Sequence, residues 1–372
     1  MDRRDYLKTA FTFAICLVIS VQLFARGGQD PNSKKNNNNP ALAAGCIPAN
    51  EIIFLEFNNV KTRVEAGGLW WQDRANGVAD YEVPRGSNSY ALYAGGLWLA
   101  GTDVNGQLKA ASSKFGSGVD YWAGPLDNKG TAEINAETCE RWDRFFEISR
   151  KEVADFVLYN SLNDEERADV FPDGYEVPDG IKNWPGDGFP NFDDPNLAER
   201  LAPYVDVNGD NVYDWRDGDY PFYDLGATLN SNVDSNLISE TGIIDCRAPR
   251  IDRSESATRP LFGDKTFWWI FNDKGNLHTE TNAPSIGMEI HAQAFAFATN
   301  DQVNDMTFYN FELINRSTFT LTETYFASYV DPDLGDFNDD YVGCDVTRGF
   351  GYCYNGDDFD EDRNGQTGYG ST

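Results

Sequence analysis

Five oxygen-bearing side chains fall at calcium-ligand spacing within one twelve-residue stretch, DVNGDNVYDWRD, residues 206–217. Counted from Asp206, the residues Asn208, Asp210, Asp214 and Asp217 occupy positions 3, 5, 9 and 12, and Val212 offers its carbonyl at position 7. Calcium is a hard ion that takes six to eight oxygens, and this spacing wraps a chain around it. Position 6 is Asn211 where such loops use glycine; asparagine is the next best residue for a left-handed turn. Position 12 is a short Asp, and Gly218-Asp219-Tyr220-Pro221 blocks an exit helix. The stretch is therefore closer to an isolated Asp-x-Asn-x-Asp loop than to a full EF-hand. The competing reading is a solvated acidic turn.

A second acidic segment, DPDLGDFNDDYVGCD at residues 331–345, crowds Asp331, Asp333, Asp336, Asp339, Asp340 and Asp345. Like charges this close repel, and a cation among them relieves the repulsion. Asp331, Asp333, Asp339 and Asp340 are the candidate ligands. A third segment, DDFDEDRNG at residues 357–365, alternates Asp358, Asp360, Asp362 and Asn364. A disordered acidic tail explains that pattern equally well.

Other chemistry is sparse. The two histidines, His278 and His291, exclude a three-His zinc site within one chain. His278-Thr279-Glu280 lacks the Pro-Cys-x-x-Cys of a deaminase, and His291 reads as a structural polar residue in a strand. No His-Glu-x-x-His, Gly-x-Ser-x-Gly or P-loop occurs. Among 60 acids, no carboxylate pair stands out for a glycosidase without geometry. Trp70, Trp71, Trp98, Trp122, Trp184, Trp268 and Trp269 include either a sugar-stacking platform or, as is commoner for such residues, core fillers.

Mainly β elements must position these loops. Ile52–Phe57 and Tyr90–Ala100 read as strands, and Asn105-Gly106 as a hairpin turn returning along Gln107–Ala111. Gly67–Trp71 resembles Gly95–Leu99, but two GGLW copies make no solenoid. Thr266–Phe271, Ile286–Ala298, Met306–Asn315 and Leu321–Val330 follow without intervening helices, so their sheet is expected to be antiparallel. Between the two sets, Glu137–Tyr159 is the best helical stretch, and Ser149-Arg150-Lys151-Glu152 is a capping box. Asn196–Leu201 is a further short helix candidate. The expected architecture is an antiparallel β-sandwich with a loop-rich, partly helical middle region. Its parts are a β-rich region at 46–130, a helix- and loop-rich insert at 131–245 and a β-sandwich region at 246–372. The two β regions form either one shared sandwich or two.

With 30 basic against 60 acidic residues, the net charge of −30 leaves no basic stripe for nucleic acid and disfavours anionic lipid. Aspartate outnumbers glutamate 40 to 20, a balance toward turns and ion-binding loops. Residues 1–25 read as a signal peptide: a basic start, then the apolar run Thr9–Phe24 and the small Ala25. The run is short for a spanning helix, so no stable membrane span is expected after cleavage. Residues 26–45 read as a disordered spacer. Five cysteines follow the signal; Cys344 and Cys353 are closest in sequence and a candidate bridge, and the odd count leaves one thiol unpaired. The terminal GYGST closes no obvious element and reads as the end of a fragment.

Several stretches together carry a family likeness: YALYAGGLWLAGTDVNGQLKAAS, DYWAGPLD, residues 206–221, FWWIFND, IGMEIHAQAFAFAT and YVDPDLGDFNDDYVGCDVTRGFGYCYNGD. Across residues 50–370 the chain resembles the N-terminal portion of large exported proteins of bacteria with a type IX secretion system. The resemblance implies a secreted or outer-surface location and a modular architecture. It implies no reaction. The expectation is a non-enzymatic, calcium-stabilised surface protein in adhesion or scaffolding, with calcium ions, the secretion machinery and glycans or other surface proteins as partners. The alternatives are an exported hydrolase of polysaccharide or protein, or a carbohydrate-binding module.

Overall fold

The computed structural model describes residues 44–188, 201–222 and 263–371. The expected signal peptide, nearly all of the expected spacer, the expected Asn196–Leu201 helix apart from its last residue, and Cys246 lie outside the described residues. The protein is mainly β, and its named strand pairs are antiparallel.

One sheet runs, in order, through Ile52–Leu55, Lys61–Glu65, Leu69–Trp70, Tyr90–Asp103 and Leu321–Pro332. The hairpin at Asn105-Gly106 forms as expected, with Gly106 at φ +76° and Leu108–Ser112 returning alongside Trp98–Thr102. The two GGLW copies are partners in this sheet: Leu69 pairs with Gly96 and Trp70 with Gly95. Their glycines serve packing. A Cβ on Gly95 would lie 2.4 Å from the Trp70 indole nitrogen, and one on Gly96 would lie 2.6 Å from Ser113 Cβ.

The second sheet runs through Phe146–Ser149, Lys265–Asn272, Met288–Ala296 and Phe308–Asn315. The two sheets share one core. Leu55, Val64, Trp70, Leu97 and Leu99 of the first sheet pack with Phe267, Trp269, Phe271, Ile290 and Ala292 of the second. The β regions thus form one sandwich-like body, since strands hydrophobic on a single face must cover each other.

The middle region is a third layer. Trp142, Val153, Phe156, Ile181 and Trp184 pack with Trp268 and Ile270, on the side of that strand away from Trp269. All nine residues of Met288–Ala296 are buried, because both faces of the sheet are covered. This explains why TFWWIF is a continuous apolar run rather than an alternating one.

The expected helix over Glu137–Tyr159 is corrected. It is two helices, Ala136–Trp142 and Arg150–Ser161, separated by the strand Phe146–Ser149. Phe146 and Ile148 alternate with polar neighbours and bury against the sheet, so a period of two wins over helical continuity. The capping box forms: Ser149 accepts from the Glu152 amide at 3.3 Å, and Glu152 accepts from the Ser149 amide at 2.8 Å. The bridge is also corrected. Cys46 pairs with Cys139, whose Cα atoms are 5.8 Å apart, while Cys344 and Cys353 are free. Val342 faces Cys353 and Cys344 faces Gly351 in the hairpin Asp340–Asp345/Phe350–Asn355. The two thiols are therefore diagonal neighbours, wider apart than a disulfide spans.

Among the described residues no helix is long and apolar enough to cross a membrane.

Candidate functional site: two acidic loops

The Asp206–Asp217 loop is closed at its base by a short strand pair, Tyr204 opposite Pro221 and Val205 opposite Tyr220. This pair stands where an EF-hand would start its exit helix. Asn211 takes the left-handed conformation, φ +65°, that position 6 requires. Asp206 accepts the amides of Gly209 at 2.6 Å and Asn211 at 2.9 Å. Asp210 accepts the Val212 amide at 2.8 Å. The Asn208 side-chain amide donates to Asp210 at 3.0 Å and to Asp217 at 3.4 Å. The loop thus brings Asn208, Asp210 and Asp217 together, with an amide donor between two carboxylates. The Asn208 side-chain oxygen accepts the Asp210 amide at 3.0 Å. Asp214 departs from the expectation: it caps the turn Trp215–Asp217 and accepts from the Arg216 amide and guanidinium. Val212 is half exposed at the loop's outer side.

Sequence reasoning missed Asp219. It is fully buried and accepts the amides of Val207 at 2.8 Å and Asp214 at 3.0 Å, tying the two ends of the loop. Burial pushes its carboxyl up, and the carboxylates of Asp206 and Asp210 add to the rise. In sequence it is only part of a helix-blocking Gly-Asp-Tyr-Pro segment, and its position two residues past the ligand pattern carries no separate signal.

The second loop leaves the end of the strand Leu321–Pro332 and enters the hairpin at Asp340. Asp331 accepts from the Tyr329 hydroxyl at 3.1 Å. Asp340 accepts the Leu334 amide through one oxygen at 2.7 Å. Its other oxygen, Oδ1, is shielded from solvent and unbonded among the described residues. The same holds for Oδ1 of Asp333 and Asp339, and for Oδ1 of Asn355, which pairs across from Asp340. While the carboxyls are ionised all four atoms are acceptors, so none then satisfies another. Burial pushes Asp333 up to about 7, with repulsion from Asp340, Asp331 and Asp336 behind it. Burial pushes Asp340 up to about 6, with Asp360, Asp339 and Asp336 contributing. Asp345 stands apart at the far end of the hairpin, paired with Arg348 at 2.9 Å.

The third acidic segment folds back onto this loop. Asp360 is buried and accepts the amides of Asp336 at 3.0 Å and Tyr369 at 2.6 Å. Arg363 pairs with Asp336 at 2.9 Å. A Cβ on Gly335 would lie 2.3 Å from an Asp360 oxygen, so only glycine lets the two segments approach. Asp358 is exposed, and Asp362 accepts the Gly368 amide at 3.0 Å. A cleft of about 400 Å³ beside the loops is lined by Asp331, Asp333, Tyr93, Phe337, Asn364 and Gln366 and gives solvent an entry.

These residues fit calcium by their chemistry: acceptor-only oxygens, one amide oxygen, and carboxylates held against each other. Among the described residues, no three His, Cys, Asp or Glu side chains are already gathered into a metal-binding group. Calcium also draws on amide, backbone and water oxygens, so three convergent carboxylates are not required of it.

Both histidines are structural. His278 is buried with its ring nitrogens 2.8 Å and 2.6 Å from the carbonyls of Ala110 and Asp273. His291 meets Glu289 at 2.8 Å, and Glu289 also holds Arg316 at 2.6 Å. Six of the seven tryptophans singled out above are buried; Trp98 is 43% exposed. The chain matches no family model, no curated protein and no solved structure.

Proposed function

We propose that this is an exported, β-rich surface protein whose acidic loops bind structural calcium, with a role in adhesion or scaffolding. The observation that carries the reading is the set of four shielded, unbonded oxygens on Asp333, Asp339, Asp340 and Asn355. A buried acceptor without a donor costs about 1–3 kcal/mol, more when charged, and a cation beside it offsets that cost. In the other loop, Asp206, Asn208, Asp210 and Asp217 with the Val212 carbonyl would hold an ion, and Asp214 would turn from its cap or act through water. The apolar N-terminal run and the Cys46–Cys139 disulfide support export to an oxidising compartment. Type IX secretion machinery would be the route.

The test is a thermal melt of the protein in 1 mM calcium and in excess chelator, paired with calorimetric titration. The expected outcome is a large, chelator-reversible rise in melting temperature with binding heat. An unchanged melt without heat would sink the reading.

A further inference from the structure

The outer face of the first sheet carries an aromatic slot that is not part of the core. Ala327 lies opposite Trp98, Tyr325 opposite Ala100 and Tyr329 opposite Gly96. Alternation along the strand puts Tyr325, Ala327 and Tyr329 on the Trp98 side of the sheet. Trp98 stacks on Tyr329, with ring centroids 5.3 Å apart and planes within 6°. Its indole nitrogen donates to the Ser113 carbonyl at 2.9 Å, and the Tyr329 hydroxyl donates to Asp331 at 3.1 Å. An exposed tryptophan would ordinarily be free to turn; this one is fixed from two sides.

Tyr325, which is 72% exposed, lines the same cavity as Trp98. Four residues of antiparallel strand separate Tyr325 from Tyr329 by about 13 Å at roughly 3.4 Å per residue. The floor is Ala100, Ala110 and Ala327, small enough to let a ring enter edge-on, and the cavity measures about 430 Å³. At one end Lys114 and Glu280 are paired at 2.8 Å, offering an ammonium donor and a carboxylate acceptor with no net charge.

We propose that this slot binds one pyranose ring of a neutral glycan. The negative π faces of Trp98 and Tyr325 attract the electropositive C–H edges of a sugar, and the ion pair meets its hydroxyls. Charge complementarity selects a neutral sugar: the slot itself is balanced, and a chain of net −30 repels sulfated or uronic-acid polymers. Fixing the indole beforehand removes ordering that binding would otherwise require. One of its supports, the Tyr329–Asp331 hydrogen bond, ends on the second acidic loop, so the slot is tested with calcium present.

The full chain is titrated, with calcium present, against cellohexaose, xylohexaose, mannohexaose and chitohexaose, and separately against indole, by calorimetry and tryptophan fluorescence. At least one oligosaccharide is expected to bind and to perturb the fluorescence. Trp98→Ala and Tyr325→Ala each weaken binding at least tenfold. Ala327→Phe, which fills the slot while leaving both walls in place, abolishes it and serves if the truncations do not fold. Absence of binding by all four sugars overturns the proposal. So does binding that survives Ala327→Phe, or a slot that accepts indole and no sugar.

Discussion

Asp333 and Asp340 concentrate the chemistry of the second acidic loop. Each has one oxygen without a donor, and burial lifts Asp333 to about 7 and Asp340 to about 6. An acid whose folded value is raised stabilises the fold below its unfolded value near 3.8 and loses that contribution as pH rises through the folded value. In chelator, these two groups therefore favour the fold at pH 4 and cease to do so by pH 7.5. Protons and calcium compete for the same oxygens, so the calcium-induced rise in melting temperature is expected to be larger at pH 7.5 than at pH 5. A melt series with and without calcium across that range checks it; equal shifts at both ends contradict it. Asp333→Asn separates the two states by sign. At pH 7.5 it removes repulsion and raises the melting temperature in chelator by about 2 °C, while reducing the response to calcium. Of these residues, the sequence identified Asp331, Asp333, Asp339 and Asp340 by crowding alone. It passed over Asn355 and gave Asp360 no link to the loop, because their partnership with it is made by hairpin pairing and chain return, not by spacing.

Two helices carry the same N-terminal device and make different contributions. Arg150–Ser161 is capped by Ser149 with Glu152, and Asp164–Val170 by Asn163 with Glu166. Only the first buries side chains, Val153 and Phe156, in the layer against Trp268 and Ile270; the second buries none. Ser149→Ala is expected to lower global stability by about 1 kcal/mol, seen as a reduced urea midpoint with unchanged slope. Asn163→Ala should leave that midpoint in place and speed amide exchange over 164–170. The capping box was legible because it is a local four-residue pattern. The strand at Phe146–Ser149 was not, since FEIS becomes a strand by pairing with Lys265–Trp268, more than a hundred residues away.

Across the molecule, distant segments are tied by a few long-range links. The strand Leu321–Pro332 completes the first sheet beside Tyr90–Asp103, and the segment around Tyr369 reaches back to donate to the Val83 carbonyl at 2.7 Å. Cys46–Cys139 closes a span of 93 residues between the start of the first sheet's region and the helix Ala136–Trp142. Cys139→Ser is expected to destabilise the protein by about 2–5 kcal/mol in denaturant, and reductant should destabilise the parent chain similarly while leaving the variant unchanged. The native parent should meanwhile show Cys344 reactive to a thiol reagent.

The sequence by itself determined the mainly β class, most strand positions, the hairpin at Asn105-Gly106, the capping box and the composition of the acidic loops. Each of these depends on alternation, turn chemistry or side-chain type within about ten residues. Only the tertiary structure decided that the two β regions share one core, that Cys46 finds Cys139, and that Asp219 and Asp360 anchor the loops. It also decided that Trp98, identical in type to seven buried tryptophans, stands on the outer face of its sheet. Which face of a strand is covered depends on what packs there from elsewhere in the chain, and no local pattern encodes that.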